Sequence, residues 1–164
     1  MARIERGDLD WRDRVMALGA RAFVKPVFAL PLDWRTHRRI AEFHAKHYRP
    51  APDVAVRWTE AAGVTLREAV PDEVTDAPPL VWLHGGGFVM CSPGTHAALL
   101  DALARATRRR VLAPAYRLAP EHPFPAGYDD ALAVVRAVGR CALGGDSAGA
   151  NLALGVAAAL IGAA

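Results

Sequence analysis

The sequence predicts an α/β fold, a mostly parallel sheet with helices on both faces. Two observations carry this. From residue 80 onward, short apolar runs alternate with helical patterns, with crossovers of about 20–30 residues between successive strands. Two of those runs end in glycine-rich turns, His84-Gly85-Gly86-Gly87-Phe88 and Gly145-Asp146-Ser147-Ala148-Gly149. Glycine there lets the backbone turn sharply out of a strand.

The elements follow in order. Residues 8–25 and 33–48 carry apolar side chains at helical spacing: Leu9, Val15, Leu18 and Ala22, then Trp34, Ile40, Phe43 and Tyr48. Pro26, Pro31 and Pro50 punctuate them. Val54 to Trp58 and Val64 to Ala69 alternate and read as strands. Pro71 to Pro79 is a loop, and Leu80-Val81-Trp82-Leu83 is apolar throughout, as a buried parallel strand should be. A helix is expected over Thr95 to Thr107 and a strand over Val111 to Ala115. A proline-punctuated loop spans Arg117 to Pro125, and a helix Ala126 to Val138. Cys141 to Gly144 is the last strand, and Asn151 to Leu160 the last helix.

Composition narrows the class. The 164 residues are 52% hydrophobic and 23% charged, which fits one globular domain with a sizeable core. The net charge is +3, and 18 of the 20 basic residues are arginine. The one dense basic run, Arg108-Arg109-Arg110, falls where a helix should end, and cations suit that end of the helix dipole. A nucleic-acid surface would need more basic residues on one face with aromatics between them, so none is expected. No apolar run follows the N-terminal charges, so no secretory signal is expected. The apolar stretch from Leu152 to Ala164 is too short to span a bilayer. Cys91 and Cys141 form neither a disulfide framework nor a metal-spaced pair. A reducing cytoplasm is the expected compartment, with no cofactor and no metal.

Two motifs carry chemistry. In Gly145-Asp146-Ser147-Ala148-Gly149, a serine sits at the apex between a strand and a helix, the arrangement of a nucleophile elbow. With two serines and 14 glycines in the chain, the pattern is expected by chance about 0.01–0.02 times. The alternative is a plain glycine-rich turn. In His84-Gly85-Gly86-Gly87, consecutive glycines let the backbone approach a ligand and point N–H groups at it. Amides so aimed stabilise the oxyanion of acyl transfer. A phosphate loop would need a different glycine spacing and a Lys-Ser/Thr pair, both absent here.

A third block, Tyr116-Arg117-Leu118-Ala119-Pro120-Glu121-His122-Pro123-Phe124-Pro125-Ala126, joins these two. Together the blocks resemble the N-terminal half of an α/β-hydrolase of the hormone-sensitive-lipase type, the bacterial esterase group marked by an HGGG loop. The resemblance covers residues 50–164. It implies the α/β-hydrolase fold, lacking its C-terminal strands. It implies a helical cap segment over residues 1–50 and part of the catalytic domain over 51–164. It implies that Ser147 is the nucleophile and that the amides of Gly85, Gly86 and Ala148 form the oxyanion hole. The substrates implied are small to medium acyl esters.

The sequence departs from the family pattern in two places. Ala150 stands where a third glycine is frequent. More consequentially, no Asp, Glu or His follows Ser147, whereas the fold orders its triad Ser, acid, His. The six histidines, His37, His44, His47, His84, His96 and His122, all precede it. His84 reads as shaping the loop, His96 as a solvent or cap residue, and the others as connector or helix-face residues. Asp146, next to the serine, is not read as the triad acid, because that acid orients a histidine rather than the serine, and Asp129 and Asp130 suit a helix N-terminus. The isolated chain is therefore expected to be nearly inactive, and its last strand to be an exposed edge prone to self-association. Other readings are a non-catalytic protein holding a small apolar ligand, and a transacylase or thioesterase on the same elbow.

Overall fold

The computed structural model describes residues 10–19, 21–22 and 33–162. The chain divides into two units, residues 1–37 and 38–164. In the first, helix α1 spans Trp11–Gly19, where the periodicity predicts a helix. The Asp10 carboxylate accepts the Trp11 N–H at 2.6 Å. Pro26 and Pro31 lie outside the described residues. Helix α2 spans Trp34–Ala45. Its first turn is capped by Asp33, which accepts the Thr36 N–H at 2.9 Å and the Thr36 hydroxyl at 3.1 Å.

The second unit holds the sheet. Strands β1 (Val54–Ala61) and β2 (Val64–Pro71) form an antiparallel hairpin. They turn through Ala62-Gly63, both at positive φ, so the strands run on past the limits that alternation predicts. Strands β3 (Leu80–Leu83), β4 (Val111–Pro114) and β5 (Ala142–Gly145) complete five strands in the order β1-β2-β4-β3-β5. The β4–β3–β5 part is parallel, and β2 meets β4 antiparallel. The result is a mixed sheet whose parallel half carries both motifs. Among the described residues β5 pairs on one side only, with β3.

Period-two alternation sends successive strand residues to opposite faces. Leu80, Val111 and Ala113 pack with Leu100 and Ala104 of helix α3 (Ala97–Thr107) on one face. Val81, Leu83 and Leu112 pack on the other with helices α4 (Ala126–Val138) and α5 (Ala148–Ile161). Helix α3 begins two residues after its predicted start because Ser92 and Thr95 fold into a turn. There the Ser92 hydroxyl accepts the Gly94 and Thr95 N–H groups. Helix α5 begins three residues early because Ser147 of the elbow is its N-cap. No helix among the described residues is long and apolar enough to cross a membrane.

Two charge clusters, each built on a buried carboxylate, pin the sheet. Glu68 on β2 is 1% exposed and lies opposite Arg57 on β1. It accepts from Arg57 at 2.5 Å and from Arg110 at 2.6 Å. Burial alone would push this carboxyl up, but the two guanidiniums hold it below the usual range. On the other side of β2, Arg67 pairs with Asp101 of α3 at 2.8 Å, and the Tyr48 hydroxyl donates to the same carboxylate at 3.0 Å. The Arg67 and Asp101 side chains are 4% and 2% exposed. Removing one partner of such a pair strands the other charge in the core. Arg67→Met is expected to lower unfolding free energy in urea by about 3 kcal/mol, and Tyr48→Phe by about 1 kcal/mol.

Candidate active site

The two glycine-rich turns leave the ends of adjacent parallel strands, β3 and β5, so the sheet brings them side by side. At the end of β5, Ser147 is exposed and holds φ +49° with ψ −118°. A non-glycine residue in that region is strained and persists only where its surroundings fix it. They do so through close contact. A Cβ on Gly149 would lie 2.0 Å from the Leu83 carbonyl oxygen, and one on Gly145 would lie 2.6 Å from it. The turn is closed by the Gly149 N–H donating to the Asp146 carbonyl at 2.8 Å, and tied to β3 by the Asp146 N–H donating to Leu83 at 3.3 Å.

At the end of β3, His84 is 1% exposed. Its Nδ1–H donates to the Gly85 carbonyl at 2.8 Å. Tyr116 stacks on the imidazole at 4.3 Å, and its hydroxyl donates to the His84 carbonyl at 2.5 Å. Burial pulls His84 down to about 4; His96 adds to this, while the Gly85 carbonyl and Asp146 oppose it. Burial likewise pushes the Tyr116 phenol up, with Asp146 and Cys91 adding to it. Both groups are neutral scaffolding near pH 7.

The loop then curls back. The Gly86 carbonyl accepts the Val89 and Met90 N–H groups, and the Phe88 carbonyl accepts the Ala119 N–H at 2.9 Å. Gly86, Gly87 and Phe88 all hold positive φ. Arg38 of α2 fastens this curl to the proline-rich connector. Its guanidinium donates to the Val89 carbonyl at 2.7 Å and the Ala119 carbonyl at 2.5 Å, and meets Glu121 at 2.9 Å. The amides of Gly85, Gly86 and Gly87 donate to no carbonyl among the described turns and loops.

Of the residues singled out from sequence, Gly85 is buried against the Asp146 carboxylate, and Gly86 follows it, half-buried. Ala148 is the first residue of α5, directly after Ser147. The structure corrects two expectations. His96 is the N-cap residue of α3, as expected, but it is not a solvent residue: its side chain is 15% exposed, and its Nε2 lies 3.3 Å from Asp146. It also makes no side-chain capping bond to α3. Asp130 does not serve its helix end but grips Arg117, with contacts at 2.8–3.0 Å that hold its carboxyl low against burial. The remaining histidines lie elsewhere. His37 contacts the Asp33 carbonyl, and His47 contacts the Phe43 carbonyl. The His44 side chain lies outside the described residues.

Beside the loop opens a cleft of about 530 Å³. It runs from Gly87 and Phe88 to Asn151, one helical turn beyond Ser147, and is walled by Tyr128, Leu152 and Gly155. His122 lies on its lining. No group of three His, Cys, Asp or Glu side chains among the described residues is placed to hold a metal ion.

A family model described as alpha/beta hydrolase fold matches residues 80–163. An acetyl-hydrolase of Streptomyces hygroscopicus is 37% identical over 144 residues, covering 80% of this chain and 48% of the relative. A versiconal hemiacetal acetate esterase of Emericella nidulans is 33% identical over 137 residues, covering 78% and 47%. Among solved structures, an esterase from the bacterial hormone-sensitive lipase family is 33% identical with a TM-score of 0.76, covering 90% of this chain and 51% of its own. The chain spans about half the length of the curated relatives it matches.

The buried neutral His84 makes stability depend on pH. The unfolded imidazole takes a proton near 6.5, while the folded one resists until about 4. The unfolded chain therefore binds the proton first, and stability falls as pH drops through that window. From pH 7 to pH 5.5 the chain is expected to lose about 1 kcal/mol from this group. Urea unfolding of the wild type and His84→Asn at the two pH values checks it, because the variant should lose less by that amount.

Proposed function

The chain belongs to the α/β-hydrolase family, among its hormone-sensitive-lipase-type esterases, and from that we propose that Ser147 is the nucleophile of a carboxylic-ester hydrolase. The observation that carries the reading is the exposed serine held at φ +49° beside a loop with undonated amides. In the proposed reaction a base takes the Ser147 proton, and the oxygen attacks the ester carbonyl carbon. The negative charge passes to the carbonyl oxygen, where the amides of Gly85, Gly86 and Ala148 receive it, with Gly87 exposed alongside. Collapse expels the alcohol and leaves an acyl-serine, which water hydrolyses. The cleft along Phe88, Tyr128 and Leu152 supports apolar acyl groups of small to medium size.

The base is the missing partner in this scheme. No Asp, Glu or His follows Ser147. His84 is buried with its Nδ1–H committed, and His96 faces Asp146. A serine without its base retains about 10³–10⁴-fold acceleration over water from oxyanion stabilisation and binding. That value is proposed for the 164-residue chain. Residues 1–50 are proposed as cap. Two free cysteines support a reducing compartment, and self-association is proposed through β5, which among the described residues pairs on one side only. A second reading, a small-ligand-binding protein without turnover, is favoured by the formed cleft.

A fluorophosphonate probe separates the readings. Labelling of the chain that is lost in Ser147→Ala is expected, with p-nitrophenyl ester turnover near background. No labelling at all would sink the nucleophile reading. Full esterase turnover, abolished by Ser147→Ala, would sink the assignment of a missing base.

A further inference from the structure

We propose that His96 is a positioning residue for the Ser147 elbow and that it acts through the Asp146 carboxylate. The proposal rests on the reading of Ser147 as nucleophile. Asp146 precedes that serine, and its side chain turns back toward β3. Its Oδ1 accepts the Trp82 indole N–H at 3.1 Å, and its Oδ2 lies 3.3 Å from His96 Nε2. The same Oδ2 sits 2.2 Å from where a Cβ on Gly85 would be. One carboxylate thus braces both motifs: it is covalently part of the elbow and packed on the first glycine of the loop.

Neither donor alone fixes it. Trp82 holds one oxygen from within the sheet. The second oxygen, the one against Gly85, is held from outside the sheet by His96. A carboxylate accepts and does not donate, so Nε2 carries the proton in this contact. The other nitrogen, Nδ1, is then an acceptor, and the Thr95 hydroxyl lies 3.1 Å from it in position to donate, with the Ser92 carbonyl 3.3 Å away as a neighbour rather than a bonding partner. Those residues form the turn that delays the start of α3. The line of contacts runs from that turn through His96 and Asp146 to Ser147. The facing ring of His84, 5.6 Å away, is buried and neutral, so it supplies no competing charge.

Bracing both motifs with one carboxylate matters because amides aimed at a developing charge work only when their spacing from the attacking atom is fixed. Displacements of about 1 Å cost on the order of a hundredfold in rate. Losing one of two donors to the bracing carboxylate should produce a smaller displacement.

The test uses the full chain and its backbone and indole N–H resonances. In His96→Ala the Trp82 indole and the Gly85 and Ala148 amides are expected to shift, while amides of the β1–β2 hairpin stay. His96→Gln, whose amide nitrogen reaches the Nε2 position, is expected to restore them. In an Asp146→Asn background, His96→Ala is expected to add nothing at Gly85 and Ala148, since coupled sites are non-additive. Fluorophosphonate labelling of Ser147 should slow about tenfold in His96→Ala and recover in His96→Gln. If His96→Ala does not fold, His96→Asn serves, because its shorter amide stops short of the carboxylate. Unmoved resonances, or equal shifts with and without the Asp146 carboxylate, would overturn the positioning role. Absence of labelling in every protein, wild type included, would instead overturn the nucleophile reading, and the resonances would still decide the role of His96.

Discussion

The close approach of the elbow to the end of β3 governs the rest of the site. Gly145 and Gly149 lie so near the Leu83 carbonyl that any side chain would collide with it. That contact sets three things at once. It forces Ser147 into a left-handed backbone, because the chain must reverse within one residue. It starts α5 at Ala148, so the serine stands at a helix N-terminus, where the dipole favours negative charge. It also brings the loop after His84 level with the serine, since both turns leave neighbouring strands in parallel register. A larger residue at 145 or 149 would separate the strands' ends rather than merely alter the turn.

Around this contact the side-chain donors are already engaged. Trp82 and His96 are committed to Asp146, and His84 to Gly85. Tyr116 is committed to His84, and Arg38 to Val89, Ala119 and Glu121. Buried polar groups without partners are costly, so these pairings stabilise the fold locally. They also leave the loop amides as the donors available to an arriving anion. The connector earns its place here: its Tyr116 buttresses His84, and its Ala119 ties down Phe88.

The strands and helices from residue 80 onward were legible because each follows a simple rule of period or punctuation. Leu80 to Leu83 is apolar throughout, and Leu80, Val81 and Leu83 are buried. The turns at Gly85–Gly87 and Ser147 were legible as turns because each follows an apolar strand with glycines at fixed spacing. The hairpin turn at Ala62-Gly63 was less so, because alanine at positive φ is not a turn signal. The side-chain partner of His96 was not legible for a related reason. Its partner Asp146 lies fifty positions along the chain, and no local pattern encodes a contact between the start of a helix and the turn after a later strand. The Arg117–Asp130 and Arg67–Asp101 pairs were invisible for the same reason. In each case the side chain looks like a surface charge until the fold supplies its partner.

Asp146 gains most from being seen in place. In sequence it is the acid beside a serine, too close to orient a base for it. In the fold it does orient a histidine, but one facing away from the role of proton acceptor, with Nε2 turned to the carboxylate and Nδ1 to the Ser92–Thr95 turn. The pair has the composition of an acid–histidine dyad and the geometry of a strut. A histidine that is to accept a proton from serine must present a free nitrogen to it. Here Nε2 faces the Asp146 carboxylate and Nδ1 the Thr95 hydroxyl. If Ser147 acts as proposed, the same two residue types serve it by fixing where it stands, and the removal of its proton is left to another group.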